Sequence, residues 1–298
     1  MDTLKCLRDG RHKKEARAVY PIVHKQILNP TVVRLDVSAP LIARKAKPGQ
    51  FIMLRTDEEG ERIPLTIADY DREKGIVSII FQLVGKTTQT LSELNEGDSI
   101  LDFVGPLGVA SHLEGYKRVA VIGGGLGTAI AYPQAKALHQ MGAVVDIIAG
   151  FRTRDLVILE NEMRAACTHL YLTTDDGSYI RKGFVTDVLK EQIEAGAGYD
   201  LVIAIGPLIM MKMISNLTRP YGIHTVVSMN SIMVDGTGMC GGCRLTVGGE
   251  TKFACIDGPD FDGHQVDFDE AMRRSQIYKN NEKESMDKHI CRLTGKES

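Results

Sequence analysis

From about Ala18 to Phe103, apolar and polar residues alternate in short runs, among them VVRLDV (32–37), FIMLR (51–55) and VSIIFQLV (77–84). Turn signals at Pro48-Gly49, Glu59-Gly60 and Glu96-Gly97-Asp98 separate them. A period of two puts one face of each run against a core, and evenly spaced short strands with such turns predict a small antiparallel β-barrel. At Arg118 the pattern changes. A continuous apolar strand, VAVIGGG, runs into the helical stretch AYPQAKALHQMG, then strand VVDIIAGF into helix DLVILENEMRAA. LYLTTDDG, FVTDVLKEQIEAG, DLVIAIGP, LIMMKMISNLTRP and HTVVSMN continue the alternation, which predicts a parallel sheet with helices on both faces. Beyond Asn230 the alternation gives way to a glycine-rich segment with cysteines, VDGTGMCGGCRLTVGGETKFACIDGPDFDG. From Phe268 the chain is strongly charged, with Met272, Ile277 and Tyr278 at helical spacing, and a surface helix is expected. The fold class is therefore β-barrel plus α/β. The expected division is a polar extension over 1–16, a barrel over 17–112, an α/β domain over 113–229, a small module over 230–267 and a charged helical tail over 268–298.

The 298 residues suit two or three domains of about 100 to 150 residues each. Lys plus Arg number 36 against 38 Asp plus Glu, so the bulk charge points to neither nucleic acid nor an anionic membrane. No stretch approaches the roughly 18 apolar residues of a membrane helix, and the N-terminus lacks the apolar core of a signal peptide. The chain reads as soluble and cytoplasmic. Its six cysteines are too few for a disulfide framework, yet Cys240, Cys243 and Cys255 fall within sixteen residues, which suggests a metal. Cys6, Cys167 and Cys291 are scattered and read as packed or surface thiols.

Gly123-Gly124-Gly125-Leu126-Gly127-Thr128 follows an apolar strand and opens a helix, where bare backbone lets a pyrophosphate approach N–H groups at the positive helix end. The spacing departs from the dinucleotide fingerprint, because Thr128 occupies the third glycine position and Arg152 stands where an acidic residue closes the second strand. A glycine turn that only packs strand against helix is the alternative. Gly206-Pro207 ends another parallel strand, and such strand ends line the ligand crevice. In the barrel, Arg62-Ile63-Pro64-Leu65-Thr66 and Val84-Gly85-Lys86-Thr87-Thr88 combine donors and cations suited to phosphate, although either string alone reads as a strand end or turn.

The last constellation is the most specific. Asp235, Cys240, Cys243 and Cys255 give D-x4-C-x2-C-x11-C, the plant-type [2Fe–2S] run with aspartate in the first place. The glycines at 236, 238, 241 and 242 permit a tight loop with N–H groups aimed at cluster sulfides. A zinc site of three thiolates and one carboxylate is the alternative, although zinc sites usually pair two short cysteine knuckles and only one is present.

Taken together, RIPLTIADYD, VGKTTQTL, GGGLGTA, GFRTRDL, TDDGS, GPLIMM and VDGTGMCGGCR with CIDGPDFDGHQVDFDE resemble the ferredoxin-reductase superfamily over residues 18 to 285. Within it the order of modules is similar to the electron-transfer subunits of dihydroorotate dehydrogenase. It is more similar to the small subunits of NADH-dependent reduced-ferredoxin:NADP+ oxidoreductase, the electron-bifurcating transhydrogenase also named a sulfide dehydrogenase. The former carry four cysteines; the latter carry aspartate first, as Asp235 does here. The resemblance implies FAD held by Ile63, Pro64, Leu65 and Thr66, by Ile80, Phe81 and Gln82, and by Thr87 and Thr88. The superfamily places Arg three residues before the Ser or Thr; here that place is Ile63, with Arg62 one step away. It further implies NAD(H), whereas Arg152 offers a partner for a 2′-phosphate. The implied partner is a larger flavin and iron–sulfur subunit similar to the glutamate synthase small subunit, with ferredoxin reached through it. A dihydroorotate dehydrogenase complex and a non-enzymatic zinc module are the rival functions. No catalytic side chain is expected, since hydride and electron transfer between cofactors needs position and electrostatics rather than a protein acid or base.

Overall fold

In a computed structural model of the chain, which describes residues 20–284 and 286, the alternating runs pair into one seven-stranded sheet. The polar extension over 1–16, Cys6 and Cys291 lie outside the described residues. The strands are β1 (Tyr20–Asn29), β2 (Val32–Ser38), β3 (Phe51–Arg55), β4 (Ile63–Asp71), β5 (Ile76–Gln82), β6 (Ser99–Ile100) and β7 (Asp102–Leu107), with short helices α1 (Pro40–Lys45) and α2 (Lys86–Glu93) between them. The order β6-β1-β2-β5-β4-β3-β7 puts β6 and β7 at opposite ends, yet only Leu101 separates them in the chain. The two edges are thereby brought together in a nearly closed antiparallel barrel. Leu35, Ile52, Leu54, Ile79, Phe81, Leu91 and Phe103 fill it, each contributing about 1.5–3 kcal/mol on burial.

The α/β half contains β8 (Arg118–Gly124), α3 (Gly127–Gln140), β9 (Val144–Phe151), α4 (Glu160–Ala165), β10 (His169–Thr174), α5 (Val185–Glu194), β11 (Leu201–Ile205), α6 (Leu208–Thr218) and β12 (His224–Ser228). β8 to β12 form a parallel sheet in the order β10-β9-β8-β11-β12. Ala129, Ala131, Ala135 and Leu138 of α3 pack against Val119, Val121, Val145 and Ile203 on one face. Val188 and Leu189 of α5 and Met211 and Ile214 of α6 cover Ala120, Ile122, Ile148 and Val202 on the other. The helix expected over DLVILENEMRAA is shorter than its pattern. Residues 154–156 form one 3-10 turn, Leu159 takes a left-handed conformation (φ 56°), and the α-helix starts only at Glu160. Ile158 and Leu159 are buried by that bend, so tertiary packing outweighs local propensity.

The last segment forms the hairpin β13 (Arg244–Val247) and β14 (Glu250–Phe253), then β15 (Asp260–Asp262), which joins the edge of the α/β sheet antiparallel to β12. Helix α7 (Phe268–Arg274) follows, capped by Asp267, which accepts from the Glu270 N–H at 2.9 Å. It packs on this chain: Phe268 and Ala271 are buried against α6 and β13, and Lys212 pairs with Asp269 at 2.7 Å. Ile277 and Tyr278 remain exposed. No helix among the described residues is long and apolar enough to cross a membrane.

A polar node ties the three parts together. Ser111, between barrel and α/β half, donates to Asp260 Oδ2 at 2.6 Å, and the Gln134 amide of α3 donates to both. Asp260 Oδ1 and Gln134 Oε1 are sealed from solvent with no partner. Burial raises the Asp260 carboxyl above its ordinary value and outweighs the hydroxyls of Ser111 and Ser228, which act the other way. A folded-state pKa raised above the unfolded one means stability is fully present below about pH 4 and is lost as pH rises through the folded value. Asp260→Asn removes that loss and supplies N–H donors beside an orphaned acceptor. It is expected to stabilise the chain by about 1 kcal/mol at pH 8 and to flatten the pH dependence of urea unfolding.

Candidate functional site

The candidate residues fall into three groups. In the barrel, β4 pairs with β3 over Ile63–Thr66 and with β5 only from Ile67 onward, the last shared rung being Ile67↔Ile79. The strands diverge beyond it, so Ile63, Pro64, Leu65 and Thr66 on one edge and Ile80, Phe81 and Gln82 on the other flank a split in the sheet. Thr66 and Gln82 are half-buried there, and Arg62 stands exposed one residue ahead of β4. Val84–Thr88, which reads as a strand end and turn, instead opens α2. Gly85 is its N-cap, and the Thr88 hydroxyl accepts from Val84 N and Gly85 N, both at 3.1 Å. That hydroxyl caps the helix, while Thr87 is buried beside it.

The second site is the switch point of the parallel sheet, where β9 and β11 flank β8 and a crevice forms outside the strand ends. Gly123, Gly124 and Gly127 answer to packing. A Cβ on Gly127 would sit 2.2 Å from Ile205 O, on Gly123 2.5 Å from Thr128 Cα, and on Gly124 2.6 Å from Met210 Sδ. Gly206 meets the same methionine at 2.7 Å, and Pro207 lies 3.0 Å from the Gly124 position. Thr128 is buried beneath the loop. Gly125 differs: φ is +56° and nothing lies within 4 Å, so its backbone faces open space at the start of α3. Its N–H donates to Gly150 O at 2.8 Å, and Arg152 stands exposed two residues beyond that acceptor.

The third site is the loop from Asp235 to Cys255. Cys243 and Cys255 are buried with their sulfurs 3.2 Å apart, and Cys255 N donates to Cys243 Sγ at 3.5 Å. Gly242 N donates to Cys240 Sγ at 3.4 Å. Burial, then the neighbouring Cys243, push the Cys255 thiol up to about 12. A metal binding there must therefore displace a proton. The Asp235 carboxylate accepts from Thr237 N and Cys240 N, both at 2.8 Å, and the Thr237 bond leads in holding it below its ordinary value. Among the described residues no group of three or more His, Cys, Asp or Glu side chains is gathered closely enough to hold a metal ion. The structure thus joins Cys243 to Cys255 and Asp235 to the Cys240 backbone, and leaves the Cys240 thiol exposed.

Residues 230–267 match the iron–sulfur cluster binding domain of dihydroorotate dehydrogenase B. The electron transfer subunit homolog of that enzyme, dihydroorotate dehydrogenase B (NAD(+)), from Thermotoga maritima is 44% identical over 273 residues, 92% of this chain and 96% of that protein. The chain belongs to the family of dihydroorotate dehydrogenase B electron-transfer subunits and their homologues. A Clostridium beijerinckii member, an uncharacterized protein in the adh 3′ region, is 55% identical over 272 residues, 89% of this chain and 92% of its own. A chain from the structure of the NADH-dependent reduced ferredoxin-NADP oxidoreductase, described for flavin-based electron bifurcation, superimposes with a TM-score of 0.86. It shares 43% identity, covering 92% of this chain and 98% of that one.

As a member of this family the chain is an electron-transfer subunit of an oxidoreductase. The domain match decides for iron–sulfur over zinc at the cysteine loop, and the donor chemistry fits: thiolates, with backbone N–H groups on two of the sulfurs. Sequence reasoning missed what surrounds the loop. Val234, Met239 and Ile256 are exposed, Met239 by 89%, around the outward Cys240. Apolar residues within a glycine-rich stretch carry no periodicity that would reveal them as surface.

Proposed function

We propose that the chain holds FAD in the barrel split, NAD(H) at the switch-point crevice and a [2Fe–2S] cluster on Asp235, Cys240, Cys243 and Cys255, and carries electrons between NAD(H) and a partner subunit. The observation that supports this most is the cysteine loop. Its inner thiols belong to the same buried cluster as Phe51 and Met53 of the barrel and Ala204 and Met211 of the α/β half, while Cys240 faces outward. One loop thus touches both nucleotide-binding halves and the surface. Bound FAD supplies the exchange between two-electron nicotinamide chemistry and one-electron cluster chemistry.

The chain's own residues bind and orient. Ile63–Thr66 and Ile80–Gln82 offer backbone and half-buried side chains to a flat ring system, and Gly85 and Thr87 at the start of α2 offer the helix end to phosphate. The open space at Gly125, whose own N–H is held by Gly150 O, leaves room for a second pyrophosphate at the start of α3, with Gly206 and Pro207 forming the far wall and Arg152 at the ribose end. Thr88 holds the α2 cap rather than the ligand. For Asp235 to ligate iron, a carboxylate oxygen that already accepts one N–H bond, from Thr237 or Cys240, must turn a remaining lone pair to the metal, and the loop glycines, with φ of +76°, +85° and +66° at 236, 238 and 241, allow that adjustment.

Val234, Met239 and Ile256 around Cys240 suit a surface that a larger flavin and iron–sulfur subunit covers. The 43% identity to the bifurcating oxidoreductase favours a complex in which that partner divides electrons between ferredoxin and, through this chain, NAD+. The family match keeps a dihydroorotate dehydrogenase complex as the second reading, distinguished by an FMN-containing partner on co-purification. Steady-state rates are expected to favour NADH over NADPH. Asp235→Cys replaces a hard oxygen donor by a thiolate and is expected to shift the cluster's reduction potential. Redox titration of the variant at the wild-type potential would remove Asp235 from the ligand set.

A further inference from the structure

Gly236 directly follows Asp235 and is buried, with φ +76°. A Cβ there would stand 2.7 Å from Met53 Cγ, 3.3 Å from Met53 Sδ and 3.1 Å from Leu107 Cδ1. Glycine is thus required twice over, by handedness and by space. Both neighbours belong to the barrel. Met53 lies in β3, 3% exposed, and its backbone stands opposite Pro64 of β4 on one side and Val104 of β7 on the other. Pro64 is on the edge of the split assigned to FAD. The cysteine loop and the flavin strand are therefore one residue apart, and Met53 is that residue. The packing around it leaves little slack, because Met53, Met233, Cys243 and Cys255 share one buried cluster.

We propose that Gly236 is a positioning residue: its contact with Met53 seats the cysteine loop on the barrel and so fixes the separation between the metal and the flavin slot. The proposal rests on the cofactor placement given above. It assigns Gly236 no ligand role. With NADH as reductant, one electron leaves the reduced flavin and reduces one ferric iron; no bond forms or breaks, so path length and orientation are what the contact sets.

Full-length Gly236→Ala, Met53→Ala and the double variant test this. Two rates are read in rapid mixing with NADH, flavin bleaching with ferricyanide as acceptor and reduction of the iron–sulfur absorption. A third reading is alkylation of Cys243 by iodoacetamide in the metal-free chain. Gly236→Ala is expected to slow cluster reduction about tenfold or more, as misplacement by an ångström does, while flavin bleaching stays within about twofold. It should also expose Cys243 to alkylation. The double variant, with the atoms at 2.7 and 3.3 Å removed, is expected to recover part of both losses relative to Gly236→Ala. If Gly236→Ala takes up no iron, the alkylation rates of the single and double variants decide: partial recovery supports the contact, and equal rates overturn it. Wild-type cluster reduction in Gly236→Ala overturns the proposal as well. A wild-type chain without flavin or iron–sulfur absorption overturns the functional reading itself, which the unmodified protein shows before any variant is made.

Discussion

Cys243→Ala is expected to yield a chain that binds FAD and is reduced by NADH but contains no iron–sulfur cluster and delivers no electrons to its partner. Cys243 is 1% exposed and its sulfur lies 3.2 Å from that of Cys255, so the change removes one of the two buried thiols of the loop. Loss of a hydrogen-bonding residue around a metal typically lowers affinity or activity by about 10- to 100-fold, and loss of a ligand should exceed that. The barrel split and the glycine crevice are formed by other residues, so ferricyanide reduction by NADH should survive. Iron and sulfide analysis, flavin content and the two activities read the effect. Cys167→Ala, at a half-buried thiol on the far side of the α/β sheet, is the control expected to change none of them.

The second large effect falls on Gly127. A Cβ there meets Ile205 O at 2.2 Å, Ile205 C at 2.7 Å and Gly206 Cα at 2.8 Å, all of it backbone that cannot swing aside. Gly127→Ala is expected to destabilise the α/β half by about 1–3 kcal/mol or more through overpacking, and to weaken NADH binding by displacing the start of α3. Gly125→Ala separates the two uses of glycine. Its site is open, so the change is limited to the left-handed backbone, roughly 1–2 kcal/mol. The added methyl group would stand where the pyrophosphate is proposed to approach. Urea unfolding followed with NADH KM should show Gly127→Ala failing mainly in stability and Gly125→Ala mainly in KM.

Those two glycines illustrate what the chain reveals by itself. The motif Gly123–Thr128 was legible as a strand-to-helix turn because its composition has few other uses. Which of its members face a ligand was not, because close approach of Gly127 to Ile205 depends on a strand nearly eighty residues away. Strand runs such as FIMLR and VVDIIAGF were read at the bounds they take, since burial on one or both faces writes directly into polarity. The helix at 160–165 was overestimated because Ile158 and Leu159 carry a helical pattern but are buried by a bend. Helix α2 escaped notice because KTTQTLSE has three β-branched threonines among its polar residues and is set by a cap through Thr88. The cysteine loop was legible as a metal site from spacing alone. Its seat on Met53 and Leu107, and the buried node of Ser111, Gln134 and Asp260, join residues that only the fold brings together.

Asp235 combines both cases. Its place in D-x4-C-x2-C is visible in the sequence, while its carboxylate hydrogen bonds to Thr237 and Cys240 show that it also shapes the loop. A carboxylate that organises the loop without metal and then ligates iron would make cluster assembly depend on Asp235 at two stages.

The most direct measurement is made on the purified full-length chain: flavin, iron and labile sulfide per chain, with the visible spectrum recorded before and after anaerobic NADH. About one FAD, about two irons and about two sulfides per chain are expected, with bleaching of both flavin and iron–sulfur absorption by NADH. Zinc in place of iron, or a chain that binds no flavin and does not respond to NADH, would contradict the proposed function.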